Sequence, residues 1–255
     1  MKKIAAFIGS DRKKATYRAV KEIEKNLKNY GDIQFEYVFL KDYNLEFCRG
    51  CKLCFDKGEQ YCPITGDRDL LLQKMEQSDG VIFASPNYAF QISARMKNLI
   101  DRLSYIIHRP RFFGKTFTAI VTQGITGGNK LRKYLEFAGE NLGFNVVRGT
   151  CLTTLEPITE KQKARLESEA KKVSERLYAS LNKNAPPSPS IFRLMLFRFT
   201  RTGLKHFEVK YHDYYYFKEK GWLESDYFYD TALGPIKKLA GLLFDFMGRI
   251  IIKQV

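Results

Sequence analysis

Short apolar runs and longer amphipathic segments alternate along about the first 180 residues of the chain. The first apolar run, residues 4–8, stops at Gly9, and beyond it apolar residues recur every three or four positions. Short apolar runs predict buried strands, and the recurrence predicts helices. The predicted strands are residues 4–8, 33–40, 80–84, 116–121 and 144–147. The predicted helices follow residue 15, pass through residues 71–75, 96–103 and 129–142, and span residues 159–181.

Strand and helix follow each other five times, which predicts an α/β fold with a parallel sheet covered on both faces. In such a sheet, ligands bind beyond the carboxyl ends of the strands. Three loops rich in Gly, Ser, Thr, Asn and aromatic residues follow predicted strands, at residues 9–16, 85–91 and 122–128. We therefore expect these loops to meet at one edge of the sheet and to form the binding site.

The first loop has the composition of an anion site. It leads from a strand into a helix N-terminus, where backbone N–H groups and the helix dipole favour negative charge. Ser10 and Thr16 add hydroxyl groups, and Arg12 adds a guanidinium suited to phosphate. The loop contains neither G-x-G-x-x-G nor the Gly-Lys-Ser/Thr ending of a P-loop. An ordinary strand-to-helix turn capped by serine is the alternative.

Composition narrows the function classes. The chain has 255 residues and a formal net charge of +15, which favours phosphorylated ligands or anionic surfaces. The sequence contains no basic motif interleaved with aromatic residues, the pattern that would indicate nucleic-acid binding. The N-terminus lacks the pattern of a signal peptide, and no apolar stretch reaches membrane-spanning length. Together with four crowded cysteines, this predicts a cytoplasmic protein.

The four cysteines are Cys48, Cys51, Cys54 and Cys62, and Pro63 follows the last of them. Bacterial ferredoxins share the spacing of the first three and the Cys-Pro ending. If these residues bind a metal, a [4Fe–4S] cluster is favoured over zinc, whose sites usually combine two separated CxxC pairs. Plain thiols are the alternative, because the spacer before Cys62 is long for a compact cluster motif.

The C-terminal part differs in character. Pro-rich residues 184–190 predict a linker between a domain at residues 1–183 and an extension at residues 191–255, dense in aromatic residues and mainly helical. An apolar stripe at helical spacing runs from Leu233 to Ile250. We expect protein to bury it, by docking on the first domain or in a homodimer; contact with a membrane surface is the less favoured alternative.

The ordered motifs of residues 1–180 resemble those of the flavodoxin-like NAD(P)H-dependent FMN reductases, most closely their iron–sulfur flavoprotein branch. The motifs are Gly9-Ser10-x-Arg12-x-x-x-Thr16, Cys48-x-Gly50-Cys51-x-x-Cys54 with Cys62, Ser85-Pro86-Asn87-Tyr88, and Lys97-x-x-x-Asp101-Arg102. The resemblance implies a doubly wound sheet of five parallel strands in the order 2-1-3-4-5. It also implies FMN contacts from Ser10, Arg12, Ala15, Thr16, Pro86, Asn87, Tyr88, Phe90, Thr122, Gln123 and Gly124.

The first loop departs from the family pattern at two positions. Asp11 stands where the family usually has Pro, and Ala15 where it often has Asn. The carboxylate of Asp11 is expected to weaken phosphate binding.

The resemblance implies an FMN-dependent oxidoreductase that takes hydride from NAD(P)H. Its flavin would reduce a quinone, a nitroaromatic compound or an electron-carrier protein. One alternative is a flavodoxin-type electron carrier without its own small-molecule substrate. Another is a redox sensor associated with a membrane or nucleic acid.

Overall fold

The computed structural model describes residues 1–183, 186–207 and 209–252. The strands are β1 (Lys2–Ile8), β2 (Ile33–Phe39), β3 (Gly80–Tyr88), β4 (Gln91–Ile92), β5 (Thr116–Gln123), β6 (Asn145–Val146) and β7 (Thr150–Thr153). The α-helices are α1 (Ala15–Tyr30), α2 (Leu53–Asp56), α3 (Arg68–Glu76), α4 (Ala94–Arg102), α5 (Ser104–His108), α6 (Gly128–Leu142), α7 (Glu160–Leu181), α8 (Ile191–His206), α9 (His212–Glu219) and α10 (Pro235–Ile252).

The chain divides into two compact units. The first consists of Met1–Arg49 and Ile64–Asn184, and the second of Gly50–Pro63 and Ala185–Val255. Most of the cysteine segment therefore groups with the C-terminal part of the chain. The domain limits expected from the sequence, 1–183 and 191–255, stay a prediction, and residues 184 and 185 of the predicted linker lie outside the described residues.

The first unit is a parallel sheet with strand order β2-β1-β3-β5-β6, to which β4 adds on β3 and β7 adds on β5. Both faces of the sheet are buried. Ile4, Ala6 and Ile8 of β1 join the buried side chains of α1 and α7 in one cluster. The intervening Phe7 contacts Phe83 edge-on, at 5.7 Å between ring centroids. This arrangement confirms the predicted flavodoxin-like fold class.

Two predicted strands differ from the observed ones. The strand predicted at 80–84 continues to Tyr88, because β5 pairs with it as far as Pro86 and β4 extends the pairing as a hairpin. The strand predicted at 144–147 is replaced by the two short strands β6 and β7, which both pair with β5. Gly149 separates them, and a Cβ there would lie 1.7 Å from the Ala119 carbonyl oxygen. Only glycine can pass this close to the sheet.

The hairpin between β3 and β4 has an unusual turn. Ala89 and Phe90 connect the two strands with φ angles of 49° and 61°. Two-residue hairpins with two positive φ angles strongly favour Asn-Gly, since a Cβ destabilises this backbone conformation. The turn is therefore strained next to the carboxyl end of β3.

The second unit is built mainly from helices and aromatic side chains. Helix α8 packs along α10, and α2 packs against α9. The rings of Phe197, Phe217, Trp222, Tyr227 and Phe228 contact one another, mostly edge-on. The predicted apolar stripe does not pack as core: Leu233 is buried, but Ile236, Leu239, Leu243, Phe246 and Ile250 are exposed.

A buried ionic network joins α8 to α10. Asp245 accepts hydrogen bonds from Arg201 at 2.6 Å, Arg198 at 2.8 Å and Thr202 at 2.9 Å. A second carboxylate, Asp226, accepts from Arg198 at 2.5 Å. Burial favours the neutral carboxyl of Asp245, but these hydrogen bonds and the positive charges outweigh it, so its pKa lies below the ordinary value.

The helices within the described ranges are all too short or too polar to cross a membrane.

We predict that Asp245→Asn destabilises the second unit by about 3–5 kcal/mol. The substitution keeps the side-chain volume but leaves two buried guanidinium groups without their shared carboxylate. Because folding lowers the pKa of Asp245, its stabilising contribution is present above the ordinary aspartate pKa and is lost as the pH falls through the folded-state value. Urea unfolding followed by the fluorescence of Trp222, the only tryptophan, measures the change.

Glu224→Gln is the matched control. Glu224 pairs with Lys205 at 2.9 Å, but its side chain is 83% exposed. An exposed pair contributes only about 0–1 kcal/mol. Equal losses for Asp245→Asn and Glu224→Gln would contradict the role given to the buried network.

Candidate functional site

An open cleft of about 330 Å³ lies at the carboxyl ends of β1, β3, β5 and β7. Its lining comes from the loop after β1, the end of β3, the loop after β5 and the segment after β7. The lining residues are Ser10, Arg12, Lys14, Ala15, Thr16, Pro86, Asn87, Tyr88, Thr122, Gln123, Gly124, Thr154 and Glu156.

All residues expected to contact FMN line this cleft except Phe90. Phe90 lies in the strained turn, 70% exposed, with its ring against Gly127. Sequence reasoning missed Lys14, Thr154 and Glu156. Lys14 belongs to the basic loop already singled out. Thr154 and Glu156 follow β7. Had the last strand been predicted at 150–153 instead of 144–147, the expectation that ligands bind beyond the carboxyl ends of the strands would have indicated them.

The N-terminus of α1 opens into the cleft without a side-chain cap. Lys14 occupies the N-cap position and makes no capping hydrogen bond, and the first turn holds no acidic residue. The Ser10 hydroxyl instead donates to the Arg12 carbonyl oxygen at 3.2 Å. The alternative of a serine-capped turn is therefore wrong, and the unpaired N–H groups of a helix start are suited to an anion.

Two polar contacts fix the shape of the cleft. The hydroxyls of Thr16 and Thr122, both buried, lie 2.7 Å apart and tie the start of α1 to the end of β5. The Gln123 side chain accepts from the Gly128 amide at 2.6 Å and donates to Thr153 at 3.1 Å. Gln123 thus positions the loop before α6, and its amide is engaged within the protein.

Asn87, one of the residues that line the cleft, carries a buried acceptor. Its side-chain nitrogen donates to the Thr126 carbonyl oxygen at 2.8 Å. Its Oδ1 atom is buried and has no hydrogen-bond partner among the described residues. A buried acceptor without a partner is costly, so a ligand donor at this position would satisfy it.

Cations outnumber anions at the end of the cleft that is formed by the loop after β1. Lys14 lies 3.1 Å and Arg18 2.5 Å from the Glu156 carboxylate. The hydrogen bond from Lys14, together with the charges of Lys14, Arg18 and Arg12, holds the pKa of Glu156 below its ordinary value. Arg12 is exposed and takes part in none of the ion pairs found among the described residues.

Asp11 is neutralised by a residue distant in sequence. The Arg95 guanidinium on α4 donates to both oxygens of the Asp11 carboxylate, at 2.7 and 3.3 Å. Asp11 does not line the cleft. Arg95 therefore offsets the charge of Asp11, and the effect of this carboxylate on phosphate binding stays a prediction.

The four clustered cysteines do not form a preformed metal site. Cys48 and Cys51 are exposed, and Cys54 and Cys62 are half-buried. Across residues 1–183, 186–207 and 209–252, no three His, Cys, Asp or Glu side chains are grouped as metal ligands. The observed arrangement does not fit a [4Fe–4S] cluster, which stays a prediction from spacing and resemblance.

The base of the cysteine loop is held firmly within the first unit. Leu45 pairs with Gly66 as an antiparallel bridge. The buried Arg102 guanidinium donates to the carbonyl oxygens of Glu46 at 2.8 Å and Ile64 at 3.0 Å, and Asn98 donates to Leu45 at 2.7 Å. The Lys97-x-x-x-Asp101-Arg102 motif therefore includes the residue that holds both ends of the loop.

The sequence model of the NADPH-dependent FMN reductases matches residues 2–154. The chain belongs to this family. The match covers the sheet through β7 and every cleft residue except Glu156.

Relatives support the predicted branch of the family. An iron-sulfur flavoprotein of Archaeoglobus fulgidus is 36% identical over 126 residues, which are 49% of this chain and 56% of that protein. An iron-sulfur flavoprotein of Clostridioides difficile is 27% identical over 190 residues, covering 72% of this chain and 82% of that protein. The predicted resemblance to the iron–sulfur flavoproteins is confirmed. The chain spans little more than half the length of the archaeal relative.

Solved structures share the fold at low sequence identity. RosB with the bound intermediate 8-demethyl-8-formylriboflavin-5'-phosphate has a TM-score of 0.56 at 12% identity, covering 71% of this chain and 79% of that one. A putative quinone reductase from Klebsiella pneumoniae has a TM-score of 0.54 at 17% identity, covering 73% and 87%. These similarities concern the fold alone.

We predict that Arg12→Gln weakens FMN binding about 10- to 100-fold while the protein stays folded. The substitution removes a charged donor beside the helix start, and such hydrogen bonds contribute roughly 1.5–3 kcal/mol. Fluorescence titration of apoprotein with FMN measures the affinity. Lys13→Gln is the control, because Lys13 lies on the same loop over the Phe39 ring and does not line the cleft. Equal effects of the two substitutions would contradict the anion-site assignment.

We further predict that Glu156→Gln tightens FMN binding by a factor of roughly two to five. The carboxylate engages Lys14, and its removal makes this cation available to a phosphate; the effect is small because exposed ion pairs are weak. Riboflavin, which lacks the phosphate, is the control ligand and should bind both proteins equally. Weaker FMN binding by Glu156→Gln would show that the carboxylate supports the site instead.

Proposed function

We propose that the protein is an FMN-dependent oxidoreductase that accepts reducing equivalents from NAD(P)H and passes them to a quinone, a nitroaromatic compound or an electron-carrier protein. Membership in the FMN reductase family supports the choice of cofactor. The single observation that carries the proposal is the cleft at the strand ends, where an uncapped helix start faces Arg12 and Lys14.

The residues of the cleft fit FMN at both of its ends. The backbone N–H groups at the start of α1, Arg12 and Lys14 would hold the phosphate. Asn87 Oδ1 offers an acceptor to an N–H group of the ligand. Tyr88, about half exposed at the rim, offers an aromatic surface to a flat apolar ring.

The cofactor supplies the hydride and electron transfer, while the protein binds and orients it. Thr16 and Thr122 tie the start of α1 to the end of β5, and Gln123 holds the loop before α6. The predicted [4Fe–4S] cluster is given no step in this proposal, since Cys48, Cys51, Cys54 and Cys62 are not gathered as ligands.

Two further expectations complete the proposal. A cytoplasmic location is supported by the crowded cysteines, which suit a reducing compartment. A homodimer through residues after 190 stays a prediction, which sedimentation velocity of the full chain tests.

We predict that the purified protein carries FMN and that its flavin absorption bleaches anaerobically on addition of NADPH or NADH, with turnover when a quinone is added. Reduction by dithionite without reduction by either nicotinamide would instead indicate an electron carrier. Absence of flavin after incubation with FMN would contradict the proposal itself. Iron and sulfide analysis of the same anaerobic sample tests the cluster, which requires about four of each per chain.

A further inference from the structure

The contact between α8 and α10 combines a buried ionic network with one aromatic pair, Phe199 and Phe244, at 5.9 Å between ring centroids, and the outer face of α10 is apolar. Between the helices lie the network around Asp245 and two glycines, with Gly241 against Arg198 and Gly248 against Thr202. The outer face exposes eight large apolar side chains, each between 41% and 76% exposed. This α10 apolar face consists of Ile236, Leu239, Leu242, Leu243, Phe246, Met247, Ile250 and Ile251.

The α10 apolar face is broad. With 3.6 residues per turn, the eight side chains span an arc of about 180° around the helix. A coiled-coil seam is a narrower stripe. Helix α8 also exposes three large apolar side chains, Ile191, Phe192 and Leu196. An apolar arc that covers half the circumference is wider than one partner helix would cover, and it is typical of a helix that lies on a lipid bilayer surface.

Cations border the arc on both sides. On a helical projection, Lys238 and Arg249 lie within about 40° of Leu242 at one edge, and Lys237 lies about 40° beyond Ile251 at the other. Lys238 and Arg249 are exposed. The only acidic residue of α10 is Asp245, which is buried and paired with two arginines, and α8 contains no acidic residue. The exposed charge of this helix pair is therefore positive.

We propose that the α10 apolar face binds an anionic lipid bilayer, with the helix lying in the plane of the interface. Its apolar half would enter the boundary between headgroups and acyl chains, and the flanking cations would pair with lipid phosphates. Charge decides against a second copy of the chain on the same face. A symmetric pair would bring Lys238 and Arg249 of both copies to the contact with no exposed carboxylate on α10 to oppose them.

Co-sedimentation of the full chain with phosphatidylcholine vesicles, with and without phosphatidylglycerol, tests the proposal. Binding is expected only to the anionic vesicles and weakens as salt is raised. Leu239→Glu and Leu243→Glu should each reduce binding at least roughly tenfold, because a buried leucine becomes a charged side chain. The double variant Lys238→Gln and Arg249→Gln should lose about 25-fold, roughly fivefold for each cation.

Leu70→Glu is the control for the glutamate variants, since Leu70 is 44% exposed on α3 in the first unit. It should bind vesicles like the unchanged protein. The variants on α10 alter exposed side chains, so their urea midpoints by Trp222 fluorescence should remain unchanged.

Three results would overturn the proposal. They are no binding of the unchanged protein to anionic vesicles, equal binding to neutral ones, and undiminished binding of Leu239→Glu and Leu243→Glu. A dimer in sedimentation velocity that Leu243→Glu dissociates, without vesicle binding, would assign the face to a second copy instead.

Discussion

The close approach of β1, β3 and α4 at Gly9 determines the geometry of the cleft. The Gly9 amide donates to the Ala84 carbonyl oxygen at 2.8 Å, and a Cβ on Gly9 would lie 2.4 Å from the Ser93 hydroxyl oxygen. Any side chain here would push the first loop away from the sheet. The start of α1, the end of β3 and the cap of α4 by Ser93 all depend on this contact. The close packing of Gly9 against β3 and the Ser93 cap thus sets the geometry of the cleft.

Electrostatics then distinguishes the two acidic residues near the loop. Asp11 faces Arg95 and lies outside the cleft lining, whereas Glu156 lies within it and engages Lys14 and Arg18. Of these two carboxylates, one is therefore paired outside the cleft lining, and the other competes with an anionic ligand for a cation. Sequence position alone suggested the opposite, because Asp11 belongs to the loop and Glu156 is distant from it.

The sequence allowed most of the site to be predicted, because parallel strands end at one edge of a sheet. The loops after β1, β3 and β5 meet there as expected. The segment after β7 was missed, since the apolar run at 144–147 concealed the bend at Gly149 that returns the chain to the sheet. The partner of Asp11 could not be predicted, because a helix register far along the chain places Arg95. The exposure of the stripe on α10 was also missed: helical spacing indicates a face but not the direction in which it points.

The turn at Ala89 and Phe90 bears on how this protein can vary. Both residues hold a backbone conformation that glycine or asparagine adopts more readily, at the end of the strand that carries Asn87 and Tyr88. A turn chosen for stability alone would have another sequence. Glycine or asparagine at either position should therefore raise stability, and a library screened only for thermal resistance would enrich chains that have lost the aromatic ring at position 90. The stability of this turn and the aromatic ring that it carries are therefore separate selection criteria.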